Sequence, residues 1–368
     1  MGRIFYTAQF TGSMREFSSL ARPVWDKMYQ KTLVLDFFSP EYLEAVQGSS
    51  LEFYGLATYY RKEPVCLCLN LGYRAEIFSR SLRVVLISWF SVVEETASSM
   101  SQALRLTGVV QMCMDMVETA RMKKYDLVLG IVDAQSAMLN AARIKSKGVY
   151  PVISKPLVAM ASIESKKMLE KMYLNRHEEL LLRLLQREWK DEKPPDHDGG
   201  DDQGKGSGEV EEIPLSRQRL YEDILNEKAY DLKIINEFSQ YCPPGADFSR
   251  FFRLFEIRRK GERIGIVRIL DLAIRGGELI PSVVIEQVWT RPFHLRTCLA
   301  LFISAMKREG KKMIMSIFPL FRLSERMALL TLGFLPDYSR PVRVVSIALD
   351  AKIGECLPQI KSFSLPFR

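Results

Sequence analysis

The sequence predicts an α/β protein built from two tandem copies of one layered unit, each a mixed central β-sheet flanked by helices. Three observations carry this. Both halves of the 368-residue chain run hairpin, central strand, long helix, strand, short helix, in the same order. The runs that suit the middle of a sheet are apolar on both faces, as in Arg83-Val-Val-Leu-Ile-Ser-Trp-Phe-Ser-Val-Val93. A stretch rich in Pro, Gly and Asp, from Pro194 to Gly208, separates the halves, and such residues offer too little apolar burial to offset the entropy of ordering. The expected division is therefore 1–190, an acidic flexible linker over 191–212, and 213–368.

The elements follow in order. In the first half, helices are predicted over 20–30 and 40–46. Strand-like runs follow at 53–60 and 65–71, joined by a turn at Lys62-Glu63-Pro64. After the run at 83–93 comes a long helix over 104–124, with apolar positions at Val109, Met112, Met116 and Val117. A buried strand at 125–132 and a helix over 137–146, stopped by Gly148, complete the copy. A further amphipathic helix is predicted over 163–189.

The second half opens with a strand at 251–257, a hairpin turn at Arg259-Lys-Gly-Glu262, and a return strand at 264–270. The central strand is Ser282-Val-Val-Ile-Glu-Gln-Val-Trp289. A helix over 293–310 ends in Arg308-Glu-Gly310. A buried strand at 312–318, a helix over 323–332 closed by Gly333-Phe334, and a strand at 342–348 finish the repeat.

Composition bounds the class. Hydrophobic residues make up 47% and charged residues 26%, ordinary for a folded domain with a sizeable core. No apolar run reaches the roughly 18–20 residues that span a bilayer, and the start lacks a signal-peptide core, so a cytoplasmic protein is expected. The six cysteines include no Cys-x-x-Cys pair, so reduced, buried, unreactive thiols are expected. Three scattered histidines argue against a zinc site.

Net charge is +8, although 191–212 holds nine acidic residues against Lys193 and Lys205. The remainder is strongly basic, which suits a phosphate-bearing cofactor, an acidic carrier protein or nucleic acid; simple solubility accounts for it equally. The arginines and lysine at 253, 258, 259, 260, 263 and 268 alternate between two faces of a sheet, so nucleic acid is the least favoured of these partners.

The segment from Lys311 to Phe334, with its helix ending in Leu332-Gly333-Phe334, together with the repeated element order, resembles the GNAT acyltransferase superfamily. Arg105-Leu-Thr-Gly108-Val109-Val110 is similar to the family's R/Q-x-x-G-x-G/A loop. That resemblance implies a pyrophosphate contact of acetyl-CoA or another acyl-CoA at Arg105, Gly108, Val109 and Val110. Helix-front amides without intrahelical partners, reinforced by the helix dipole, are suited to a phosphate. Val110 departs from the pattern where a small residue is usual. In the second copy, Arg291-Pro-Phe-His-Leu-Arg-Thr-Cys298 has no glycine, and Phe293 and Leu295 are expected to cover the amides. His294 and Cys298 share a helical face, a spacing more typical of packing than of a nucleophile pair.

Acyl transfer to an amine requires a base, an oxyanion donor and a proton for the leaving thiolate. Candidate bases are Glu94 and Glu95, after the first central strand, and Glu286 within the second. The family's usual tyrosine near the end of the last helix is replaced by Ile144 and Leu329. The favoured reading is an acyl-CoA-dependent N-acyltransferase acting on a small-molecule or peptide amine, the first copy binding cofactor. A donor carried on an acyl carrier protein is a variant. The alternative is a catalytically inactive GNAT-like binding or regulatory protein.

Overall fold

The computed structural model describes residues 4–28, 34–133, 152–163, 208–226, 230–235, 250–275, 279–319 and 323–365. The first half contains β1 (Phe5–Phe10), α1 (Met14–Met28), β2 (Val34–Leu35), α2 (Pro40–Gln47), β3 (Glu52–Tyr60), β4 (Glu63–Ile77) and β5 (Arg80–Val92). It continues with α3 (Glu94–Ser98), α4 (Gln102–Met122), β6 (Leu127–Asp133) and β7 (Val152–Ile163). The second half contains β8 (Gly208–Glu212), α5 (Leu215–Asn226), β9 (Leu232–Ile235), β10 (Phe252–Arg259), β11 (Glu262–Asp271), β12 (Ile274–Arg275), β13 (Leu279–Ile280) and β14 (Ser282–Thr290). Then come α6 (Leu295–Arg308), β15 (Met313–Pro319), α7 (Leu323–Leu330), β16 (Leu335–Ala348), α8 (Ala351–Cys356) and β17 (Phe363–Ser364).

Local chemistry explains several of these boundaries. Ser39 accepts the Tyr42 amide with Pro40 at the first turn of α2. Gly261 makes the β10–β11 turn at φ +77°, and Gly310 and Gly333 close α6 and α7 at φ +79° and +82°.

One sheet passes through both halves, in the order β1-β3-β4-β5-β6-β16-β7-β15-β14-β11-β10-β8. Its centre is an exchange. β16 of the second half pairs with β6 of the first, Val344 opposite Ile131. β7 of the first half pairs with β15 of the second, Met160 opposite Ser316. β7 and β16 also pair with each other, so each half contributes a strand that the other's sheet needs. β9 joins the edge of β4, and β2 pairs with β12.

The largest apolar cluster is equally mixed. Phe17, Tyr42, Leu69 and Trp89 pack in it with Phe251, Phe252, Leu270, Val284 and Met313. The Tyr42 ring lies 5.4 Å from Phe251 and 6.1 Å from Trp89. At about 1.5–3 kcal/mol for each large side chain removed from water, this cluster binds the halves strongly. The two copies are thus a repeat of element order around a shared interior.

Two expectations change. Residues 208–212, assigned to the linker, form β8, with Val210 opposite Ile257 of β10. The alternation Glu-Val-Glu, with a half-buried Gly208 start, is enough for a short edge strand. β7 is a strand missed in the sequence, where Pro156 interrupts the run, and its last residue is Ile163, the predicted start of a helix. The helix predicted over 137–146, and the one predicted over 163–189 from residue 164 onward, lie outside the described residues.

Candidate functional site at the two strand clefts

Each copy has one central strand parallel to its neighbour. β5 and β6 pair from Val84–Leu127 to Ile87–Gly130. β14 and β15 pair from Ser282–Met313 to Ile285–Ser316. In both cases the ladder stops after four residue pairs while both strands continue, which opens a cleft between them.

A β-bulge sits on the central strand at the vertex of each cleft. In the first copy, Leu69 faces Ser88 and Leu67 faces Ser91, so Trp89 and Phe90 together oppose Cys68. Trp89 adopts φ +48°, and its indole N–H donates to the Phe37 carbonyl at 2.9 Å. In the second copy, Ile269 faces Ile285 and Arg268 faces Gln287, so Glu286 and Gln287 together oppose Arg268. Bulges re-aim backbone and side chains and are enriched beside active sites. Neither bulge is evident from the sequence alone.

Each long helix begins a short way along the chain from the end of its central strand, beyond the point where the parallel ladder stops. α4 begins at Gln102 with Ser101 as N-cap, its hydroxyl accepting the Leu104 amide at 3.3 Å. The amides of Gln102 and Ala103 have no intrahelical partner, and both residues are exposed. This corrects the placement of the predicted loop. Gly108, Val109 and Val110 lie inside α4, where helical geometry commits their amides to the preceding turn. The Arg105 side chain turns back to donate to the Met100 carbonyl at 3.0 Å. Gly108 has a packing reason instead: a Cβ there would lie 3.2 Å from the Phe5 ring. The overlooked signal is Ser101, a capping residue directly before Gln102.

The second front also differs from expectation. His294 is the N-cap of α6 and makes no side-chain cap bond. Phe293 is fully exposed at φ +65° and does not cover the front; Leu295 is half-buried against the core. The amides of the first turn are therefore uncapped by side chains. Cys298 is buried, and burial pushes its thiol up to about 12, which removes it as a nucleophile.

The predicted bases separate. Glu94 and Glu95 form the first turn of α3, and Glu94 is ion-paired with Lys27 at 2.6 Å. Glu286 is half-buried at the bulge, the first residue beyond the last parallel pair. Leu329, at the family's tyrosine position, is buried.

Other charged groups have structural partners. Arg253 is held by Glu212, Asp271 and Glu309. Glu256 accepts from Tyr221 at 2.5 Å and Arg258 at 2.7 Å; burial works against its charge, but these bonds and the Arg263 contact hold its carboxyl below the usual range. Arg268 is only 2% exposed. These arginines, whose alternation along the sequence speaks against a single contact stripe, are split among an acidic cluster, a buried pair and a hairpin tip. No described helix is long and apolar enough to cross a membrane, and no described His, Cys, Asp and Glu side chains group to hold a metal. A cavity of about 410 Å³ lies at the far end of α4, lined by Gln9, Tyr54, Asp115 and Lys123 among others, away from both clefts.

Two halves of this design on one continuous sheet, each with a cleft beside its central strand and a long helix following that strand, define a tandem GNAT-like fold. Saccharomyces cerevisiae N-myristoyltransferase with bound myristoyl-CoA superposes with a TM-score of 0.61 and 9% identity, covering 94% of this chain and 83% of that one. The same protein with myristoyl-CoA and inhibitors gives 0.64 and 8%, covering 95% and 81%. A conserved protein of Enterococcus faecalis V583, described as a probable N-acyltransferase, gives 0.52 and 10%, covering 93% and 72%. At such identities the likeness is one of fold. No family model matches the sequence, and no curated protein sequence matches it.

Proposed function

We propose that the protein is an acyl-CoA-dependent N-acyltransferase that moves an acetyl or longer acyl group onto a small-molecule or peptide amine. The observation that carries this is the conjunction of cleft, vertex bulge and open helix front, present in both copies, on a fold shared with a protein whose structure holds myristoyl-CoA. Helix-front amides and the helix dipole would receive the diphosphate. A backbone N–H at the bulge is the natural donor for the oxyanion. Glu286 takes the amine proton, directly or through water. The amine nitrogen then attacks the thioester carbonyl, the C–S bond breaks, and the departing thiolate takes a proton from water while the proton held by Glu286 returns to that water, Leu329 offering none.

The sequence motif points to the first copy, where the front now lies at Ser101–Ala103. A second reading places the cofactor in the second copy. It is favoured by the uncapped start of α6, the outward Phe293 and the nearby Glu286. A donor presented by an acyl carrier protein fits the same basic surface, and a non-catalytic binding role is the competing outcome.

Thermal unfolding with acetyl-CoA, a long-chain acyl-CoA and free CoA tests this. Ligand at 100 times its Kd stabilises by about 2.7 kcal/mol. Ala103→Asp and Thr297→Asp each place a negative charge at one helix front, which suits the helix but repels a diphosphate. Loss of the shift in one variant identifies the binding copy. No shift with any of the three ligands refutes the transferase reading.

A further inference from the structure

We infer that Arg268 is a positioning residue that fixes the bulge of the second central strand and thereby the presentation of Glu286 at the cleft. Arg268 is among the largest fully buried side chains. It lies directly across from Gln287, on the β11 side of the bulge. Its Nη1 donates to Gln287 Oε1 at 3.0 Å, and Nη2 lies 3.9 Å from the buried Glu222 carboxylate of α5. Gln287 Nε2 in turn donates to Ser364 Oγ of β17 at 3.4 Å. The guanidinium therefore links the bulged strand to α5, and its partner Gln287 links the same strand to the C-terminal strand.

A buried charge is costly, and apolar packing of similar volume is often as stable or better. The first copy builds the same bulge opposite Cys68, a buried neutral side chain. The fold alone does not demand an arginine at this point. The polar clamp is specific to the copy that carries a carboxylate, Glu286, in its bulge. A charge-assisted bond with fixed fork geometry restricts the strand more than apolar packing does.

The effect on turnover rests on the proposed transferase activity; the effect on the strand does not. Arg268→Met and Gln287→Met each remove the bond with little change in volume, and Arg268→Lys keeps the charge. Two measurements are made on the full chain: acyl transfer from acetyl-CoA or a long-chain acyl-CoA to an amine, and hydrogen exchange of peptides covering 283–290 and 84–92. The expected result for either Met variant is a kcat lower by about 100-fold, the scale for misplacing a reacting group by about 1 Å, with KM little changed. Exchange over 283–290 should rise at least about tenfold while 84–92 is unaltered, and Arg268→Lys should recover part of both. An unchanged kcat, or exchange that rises equally over both peptides, overturns the inference. If the wild-type protein shows no turnover, the transferase reading fails, and the exchange result alone decides whether Arg268 holds the bulge.

Discussion

Replacing Phe302 with Ala tests the shared sheet most directly. Phe302 is fully buried on α6 and meets Phe255 of β10 at 5.6 Å with an interplanar angle of 62°. Its cluster contains second-half residues only, among them Ile257, Ile269, Ile285 and Leu329. A Phe→Ala change in such a site costs about 3–5 kcal/mol from lost transfer energy and the cavity left behind. For 368 residues, an unfolding entropy of about 2.1 cal/mol/K per residue gives roughly 0.8 kcal/mol/K, so about 4 kcal/mol lowers Tm by roughly 5 °C. The informative feature is where the shift is seen. Trp25 and Trp89 stand on first-half elements and report on the shared cluster, separate from the cluster that holds Phe302. With Trp189 and Trp289 replaced by Phe, their fluorescence should still move by the same roughly 5 °C as far-UV circular dichroism. The physical reason is that β7 and β16 cannot keep their pairings if either half opens. First-half fluorescence that melts at the original temperature while circular dichroism splits into two steps would refute the single-unit argument.

Three further outcomes are expected. Gly265→Ala should destabilise by about 1–3 kcal/mol in urea titration, because the new Cβ would sit 2.2 Å from Cys298 Sγ and push α6 off β11; adding Cys298→Ala should recover part of the loss. In native protein at pH 8, iodoacetamide should label Cys356 well before Cys66, Cys68, Cys113 or Cys298, whose thiols burial pushes up, to about 12 for the last three; equal labelling by mass spectrometry would contradict their burial. Glu256 has a depressed carboxyl, so its contribution is fully present above the ordinary carboxylate pKa of about 4.3 and is lost as pH falls through the lower folded value. Urea midpoints of Glu256→Gln should therefore be lower than wild type near pH 6 and converge with it in acid.

Most of the repeated layer order was legible from the sequence because each element writes a local signature. Ser39-Pro40 caps α2, Gly261 turns the β10–β11 hairpin, and Gly310 and Gly333 end their helices, all through dihedral preferences of neighbouring residues. Apolar runs such as 83–93 and 282–289 mark mid-sheet strands for the same reason. The front of α4 is also written locally, in Ser101, whereas the partial glycine motif at 105–110 lies one turn or so inside the helix. Tertiary structure decided the rest. The exchange of β7 and β16, the capture of β9 and β17 on the first half's sheet, and the bulge that sets Glu286 and Gln287 against Arg268 all depend on residues tens to hundreds of positions apart. Arg268 reads in sequence as one basic residue among several near a hairpin; only the packing of α5 and β14 around it turns it into a buried clamp. Local chemistry determines which segments become strands and helices, whereas pairing partners and burial follow from how the whole chain shares one limited apolar interior.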